Sequence, residues 1–439
     1  MSGVTMTPLR ELGEWSGGNT PSKANSAYWD NGTVPWVSPK DMKVDEIASS
    51  EDRITDLALA DGRVSMVAAG SVLFVTRSGI LSHTFPVAVT KLPVTINQDL
   101  KALSPKAGVS PKYVAHAVRG ASQRILKECS KHGTTVASVD TKALLDFEIP
   151  MVALDEQRRI VAEIEKHFSR LDEAVANLQR VKANLKRYRN AVLASALSGG
   201  ICNLPSDAMD VAGKDVWQHG ETPEMAPDVS LPPTWAWVRA DEICAVIASG
   251  STPKPDDMNA GSGEVPFIKV YNLTFDGALD FTIKPTFIAA ATHNGLLARS
   301  CCKPGDVLMN IVGPPLGKVS IVPTDFPEWN INQAVVTFRA HERVLNRLLA
   351  YWLMSPPVRK RIERTSKATA GQFNVQVSTC RRLVLPLPPL AEQHRIVAEV
   401  DRRLSIVREV EAEVDANLKR AQALRQSVLQ SAFACKLPA

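Results

Sequence analysis

The chain has 439 residues, 45% hydrophobic and 22% charged, with a net charge of +5 and a pI near 8.8. That length supports several domains with real cores, and the mildly basic balance permits nucleic-acid binding without demanding it. No apolar run reaches the ~18 residues of a membrane span, and no signal-peptide core opens the chain. The seven cysteines include no C-x-x-C pair, which argues against a zinc site and for a reduced, cytoplasmic protein.

The first globule opens near Thr7-Pro8-Leu9 and carries Gly17-Gly18-Asn19-Thr20-Pro21-Ser22, a turn. Val34-Pro35-Trp36-Val37 reads as a short buried strand opened by an edge proline, with Trp36 in the core. Gly70-Ser71-Val72-Leu73-Phe74 reads as turn then strand, and Ile96-Asn97-Gln98 as a frame element. Ser110 and Pro111 suit the N-cap and first turn of a helix running to about Lys127. Phe147-Glu148-Ile149-Pro150 then leads into a long helix.

That helix starts Asp155-Glu156-Gln157-Arg158-Arg159-Ile160-Val161, and no proline falls between Glu156 and Leu197. Ile164, Phe168, Leu171, Val175 and Leu178 step by threes and fours, a coiled-coil seam that Lys182 and Arg189 weaken locally. At the ~1.5 Å rise of a helix the rod is about 60 Å long. Residues 202–230, with Pro205, Pro223 and Pro227, read as a polar linker.

The order then repeats. Leu231-Pro232-Pro233-Thr234-Trp235 opens a second globule. Ser249-Gly250-Ser251-Thr252-Pro253-Lys254, Val265-Pro266-Phe267-Ile268, Gly305-Asp306-Val307-Leu308-Met309 and Ile331-Asn332-Gln333 match the earlier elements. A helical stretch from Glu342 to Met354 breaks at Ser355-Pro356-Pro357 and restarts toward Arg364. Leu383-Val384-Leu385-Pro386 enters the second rod, Ala391-Glu392-Gln393-His394-Arg395-Ile396-Val397. The rods align at a constant 236 positions, Glu156 to Glu392, with no insertion. Val400, Leu404, Val407 and Val414 form the second seam, which Glu411 interrupts.

The predicted architecture is α+β: two tandem α/β globules alternating with two long helices, a duplication that builds a pseudo-twofold object. The predicted domains are 1–149, rod 150–201, linker 202–230, 231–385, and 386–439 for the second rod and tail. Between matched anchors the globules differ, as Asp45–Arg63 against Asp276–Leu297 shows. A shared frame with private loops suits two modules that present different surfaces.

The run Leu385-Pro386-Leu387-Pro388-Pro389-Leu390-Ala391-Glu392-Gln393-His394-Arg395-Ile396-Val397, the tail Val428-Leu429-Gln430-Ser431-Ala432-Phe433 and the tandem repeat resemble the specificity subunit of type I restriction–modification systems. The resemblance covers nearly the whole chain. It implies two target recognition domains, each reading one half of a bipartite, asymmetric sequence in double-stranded DNA. It implies helices paired antiparallel as a coiled coil that sets the unread gap and docks two methyltransferase subunits. Restriction subunits would add cleavage. S-adenosylmethionine, ATP and Mg would belong to those partners, and this chain would hold no cofactor, metal or catalytic residue.

Phosphate contacts need presented Lys and Arg. The best clusters are Arg119, Arg124, Lys127, Lys131 and His132, and Arg359, Lys360, Arg361, Arg364 and Lys367. Base-reading candidates are Lys23, Lys40, Arg77, Ser78 and His83, then Lys254, Lys269, Asn272, Lys318 and Gln372. Asn97 and Asn332 read as scaffold. Gly313-Pro314-Pro315-Leu316-Gly317-Lys318 is one residue short of a phosphate loop and has Val319 where Ser or Thr is needed. No amino-methyltransferase tetrad is present, and His341-Glu342 lacks the second histidine of a zinc protease. The alternatives are a tandem coiled-coil scaffold without DNA specificity, or a stand-alone methyltransferase. Adding or removing whole helical turns within Glu163–Leu193 is expected to change the unread gap and leave both half-sites intact. Sequencing the methylated bases made by such variants checks this.

Overall fold

The computed structural model describes residues 4–131, 136–201, 231–369 and 372–434. The expected linker, 202–230, and His132 lie outside these residues. The chain divides into two compact units: Met1–Gln179 with Asp415–Ala439, and Arg180–Val414.

In the first unit, a five-stranded sheet orders Gly13–Gly17, Leu100–Pro105, Val72–Val75, Val87–Thr90 and Glu46–Ile47. Val72–Val75 and Val87–Thr90 are buried at every residue, as strands covered on both faces should be. Gly70, at φ +81°, turns the chain into the first of them. Asp52–Ile54, Val34–Val37 and Thr95–Ile96 form a second sheet. Val34–Val37 is central there, so the expected edge position of Pro35 is corrected. The missing N–H is tolerated because the parallel ladder with Thr95–Ile96 begins only at Trp36. Pro266 follows the same rule: its strand is internal, and its ladder with Trp329–Ile331 begins at Phe267.

Helix α1 (Pro111–Gly120) is capped by Ser110, whose Oγ accepts from the Tyr113 N–H at 3.4 Å. The single expected helix is two: Ala121 separates α1 from α2 (Ser122–Cys129). Thr5–Pro8 pairs antiparallel with Glu148–Met151, which delivers the chain to α3 (Leu154–Ala196), 43 residues long.

The second unit repeats this plan. A four-stranded sheet orders Cys244–Ser249, Val335–Ala340, Val307–Asn310 and Val319–Ile321. A five-stranded sheet includes Thr286–Ile288 and Val265–Ile268. Helices α4 (Asn346–Met354) and α5 (Pro356–Thr365) meet at Ser355, where the sequence breaks. Ala236–Arg239 pairs with Val384–Leu387, the counterpart of the first unit's strand pair, and feeds α6 (Leu390–Ala434), 45 residues long.

One side chain locks each entry into a long helix. Gln157 is 1% exposed; its amide donates to Gly108 O at 3.1 Å and Val152 O at 2.8 Å, and its Oε1 accepts from Ser110 N–H at 2.8 Å. Gln393 is also 1% exposed; it donates to Arg343 O and Pro388 O, both at 3.0 Å, and accepts from Leu345 N–H at 2.9 Å. Three elements are thus tied in each unit: the strand exit, the rod's first turn and the start of the globule's helix. A buried hydrogen bond contributes about 1 kcal/mol, and orphaned partners add a desolvation cost. Gln157→Ala and Gln393→Ala are each expected to destabilise their unit by about 2–4 kcal/mol, read by urea denaturation.

Candidate nucleic-acid interface

The globules' helices sit on the long helices through matching ion pairs. With Ser110 and Leu345 placed in register by their glutamines, Lys112 and His116 of the first copy correspond to Arg347 and Tyr351 of the second. In the first unit, Lys112 Nζ donates to Glu165 Oε1 at 2.7 Å and lies 3.3 Å from Glu46. Those partners, Glu165 foremost, hold its ammonium above the ordinary lysine value. In the second unit, Arg347 and the Tyr351 hydroxyl both donate to Asp401, the position 236 residues beyond Glu165. Burial foremost pushes the Tyr351 phenol up.

The first unit closes with residues from the end of α6. Leu429 and Phe433 join the same core as Ile164 and Phe168. Arg425 lies 4.4 Å over the Phe168 ring and pairs with Asp172 at 3.0 Å. As α3 advances from 164 to 172, its contacts on α6 recede toward 425, so the two segments run antiparallel. The sevenfold apolar stripe therefore meets the globule as well as the other helix. In the first unit Ile164 and Phe168 are buried, while Leu171, Val175 and Leu178 are half-buried. In the second, Val400 and Leu404 bury against α4 with Val192 and Leu193, and Val407 and Val414 are also buried.

The candidate DNA contacts divide by surroundings. Lys23, His83, Lys127, Lys254 and Lys360 are exposed. Lys40 is held between Glu51 and Asp52 at 3.2 and 3.0 Å, and Arg77 lies 2.6 Å from Asp99. Arg124 pairs with Glu128 and lies over Phe147; Lys131 is 3.6 Å from Asp140. Ser78 caps the turn Gly79–Ser82. Arg119 is a structural residue, with its guanidinium donating to Val87 O and Asp45 O. Lys269 lies over Phe267, Lys318 donates to Val270 O, and Arg359 lies over Phe275. Arg361 and Arg364 stand on α5 with Lys360. The side chains of Lys367 and Gln372 lie outside the described residues.

Asn272 corrects the expectation of a base reader. It is 1% exposed, accepts from Lys269 N–H and donates to Asp280 O and Ile283 O, so its amide is spent on holding a loop. Asn97 caps Asp99 N–H, in keeping with a scaffold role. The sequence reading missed a duplicated latch: Thr20 donates to Gln98, and Thr252 to Gln333, tying the Thr-Pro turn to the Ile-Asn-Gln element in each globule. The signal was available, because both motifs recur in both copies. Among the described residues no group of His, Cys, Asp and Glu could hold a metal, and no helix is long and apolar enough to cross a membrane.

The family model for the type I restriction modification DNA specificity domain matches residues 1–186 and again 232–415. The chain belongs to this family. The specificity subunit of the type I restriction enzyme EcoR124I/EcoR124II of Escherichia coli is 39% identical over 186 residues, 42% of this chain and 46% of that subunit. The EcoBI specificity subunit of E. coli is 26% identical over 332 residues, 75% of this chain and 66% of its own length. The chain thus spans less than two thirds of either relative. Among solved structures, a chain from work on the assembly and conformational transition of the type I R-M system superposes with a TM-score of 0.71 at 21% identity, covering 99% of this chain and 98% of that one. The HsdS subunit of Thermoanaerobacter tengcongensis gives 0.51 at 20% identity, covering 100% and 98%. These likenesses establish the fold of a specificity subunit.

His116 gives the first unit of this family member a pH dependence. It is 5% exposed, and burial foremost, with Arg119 next, holds its imidazole down at about 4 against an ordinary 6.5. The unfolded chain binds a proton near 6.5 while the folded one does not, so stability is complete above that value and falls as pH drops toward 4. The melting temperature of the wild type is expected to fall from pH 7 to pH 5, and His116→Phe to flatten that slope.

Proposed function

We propose that this chain is the recognition subunit of a type I restriction–modification complex. It reads a bipartite, asymmetric DNA target, one half-site per globule, and the long helices fix the unread gap. The carrying observation is the duplicated plan within one family match: the same glutamine lock, the same ion-paired seat and the same Thr-Pro latch recur in two units whose intervening loops differ. Such a design keeps two readers in a common frame while their contact surfaces vary. Chemistry belongs to partners: methyltransferase subunits that bind S-adenosylmethionine and flip the target adenine, and restriction subunits that use ATP and Mg.

The exposed Lys23, His83, Lys127 and Lys254 are the proposed contacts with duplex DNA. A phosphate-binding lysine weakens binding on all sequences when removed and lowers the salt slope by about 1. A groove in the first unit supports docking of a methyltransferase subunit. Ile160, Ile164, Leu424 and Val428 form its apolar lining, with Arg159 and Glu163 beside them. Leu424 is 53% exposed, a large apolar group on a helix face.

Co-expression with the methyltransferase subunit in a host free of adenine methylation, followed by sequencing of modified bases, tests this function. Methyladenine at one asymmetric gapped motif, absent when this chain is omitted, is the expected result. Replacing 231–384 with a relative's segment is expected to change one half-site only. A copurifying pair that methylates nothing would overturn the DNA-reading role in favour of a scaffold.

A further inference from the structure

The second unit carries a half-open groove of about 480 Å3. Its walls are Ala194 from α3 and Leu197 just past its end, Trp237 and Pro386 from the paired strands, and Trp352 and Val358 from α4 and α5. These are apolar and aromatic. One rim is cationic: Lys360, Arg361 and Arg364 line the groove on consecutive turns of α5. Ser355, 0% exposed, also lines it, and its hydroxyl meets no hydrogen-bond partner among the described residues.

The repeat differs at one of the groove's lining positions. Leu197 corresponds to Phe433, which is larger; Phe433 is buried in the first unit with its ring 5.3 Å from that of Tyr113. At the corresponding place in the second unit the smaller Leu197 lines the groove together with Trp352. An apolar slot with a row of cations along one edge is ill suited to duplex DNA, whose outer surface offers phosphates but no apolar side chain. It is suited to an apolar anchor flanked by carboxylates. Cations spaced along a helix match successive acidic residues better than a single small anion.

We propose that this groove is a docking site for an acidic segment of a partner protein, which inserts one aromatic or large aliphatic side chain between Trp237 and Trp352 and sets its carboxylates on Lys360, Arg361 and Arg364. The site goes beyond the DNA-reading function, and it assigns these three cations to protein rather than to phosphate.

The probe is a fluorescein-labelled peptide, Glu-Asp-Glu-Trp-Asp-Glu-Leu-Glu, titrated by anisotropy into the full-length chain. Saturable binding is expected. It should weaken at least tenfold with Lys360→Glu plus Arg364→Glu, with Ala194→Phe, which fills the slot, and with a peptide whose Trp is Ala. No binding to the wild type, or loss on charge reversal with no effect of Ala194→Phe or of the missing Trp, overturns the proposal. Binding that emerges only after residues 205–228 are deleted also overturns it, because that stretch of the chain, with Asp207, Asp210, Asp215, Glu221 and Glu224, would then be the occupant. Unchanged melting temperatures keep the variants interpretable, since Lys360 and Arg364 are exposed. The DNA reading is separated by methylation: the Lys360→Glu, Arg364→Glu complex should still modify its gapped target. If methylation falls and the salt slope of DNA binding drops, the cations are phosphate contacts. The docking site then fails while the recognition function stands.

Discussion

The buried amide at the start of each long helix is the constraint on which the architecture rests. A helix entered from a strand leaves backbone groups unpaired at its first turn, and the loop before the globule's helix does the same. Gln157 and Gln393 each satisfy, with one side chain, a carbonyl of the strand exit and both a donor and an acceptor of that loop. Glutamine alone among uncharged side chains of that length offers two donors and an acceptor on a planar head. Without it the rod would be held to its globule by the chain, an apolar face and one partly exposed ion pair. With it, the angle at which each rod leaves its globule is fixed by hydrogen-bond geometry.

Duplication preserved this joint and changed what lies next to it. Lys112–Glu165 and Arg347–Asp401 repeat one ion pair with different residues. Tyr351 completes the second pair by donating to Asp401, whereas His116 stands at that position in the first and packs edge-on against Phe168 at 5.7 Å. Each pair is partly exposed and contributes modestly by itself. Their worth lies in register, since an apolar stripe can slide by a turn and a salt bridge with a hydrogen-bonded neighbour cannot.

Much of this was legible in the sequence, and the failures have physical causes. The repeat, the rods, their proline-marked entries and the turn–strand anchors followed from periodicity and from residues with restricted backbones. A sevenfold stripe shows which face of a helix is apolar but not what covers it, so the burial of Ile164 and Phe168 against the globule was not foreseen. Residue type does not reveal whether a charge is free. Arg119 was grouped with phosphate contacts, yet it serves carbonyls beneath a strand. Asn272 has the chemistry of an adenine reader and spends it on its own loop. Gln157 and Gln393 were visible as a repeated polar residue in an apolar setting, but two of the three partners of each lie 47 to 50 positions upstream, beyond any local pattern.

The first unit's core is finished by Leu429 and Phe433, and Gln426 donates to the Gly120 carbonyl 306 residues earlier. On a ribosome, the first globule therefore emerges complete in sequence but incomplete in fold, with the apolar face of α1 and the start of α3 uncovered. It stays so until Leu429 and Phe433 have been made. Closing so long a loop adds little entropy beyond that of a shorter one, because the penalty grows only with the logarithm of length. The delay is set instead by synthesis, at about 5–20 residues per second. For tens of seconds the nascent chain displays the patch that α6 will cover.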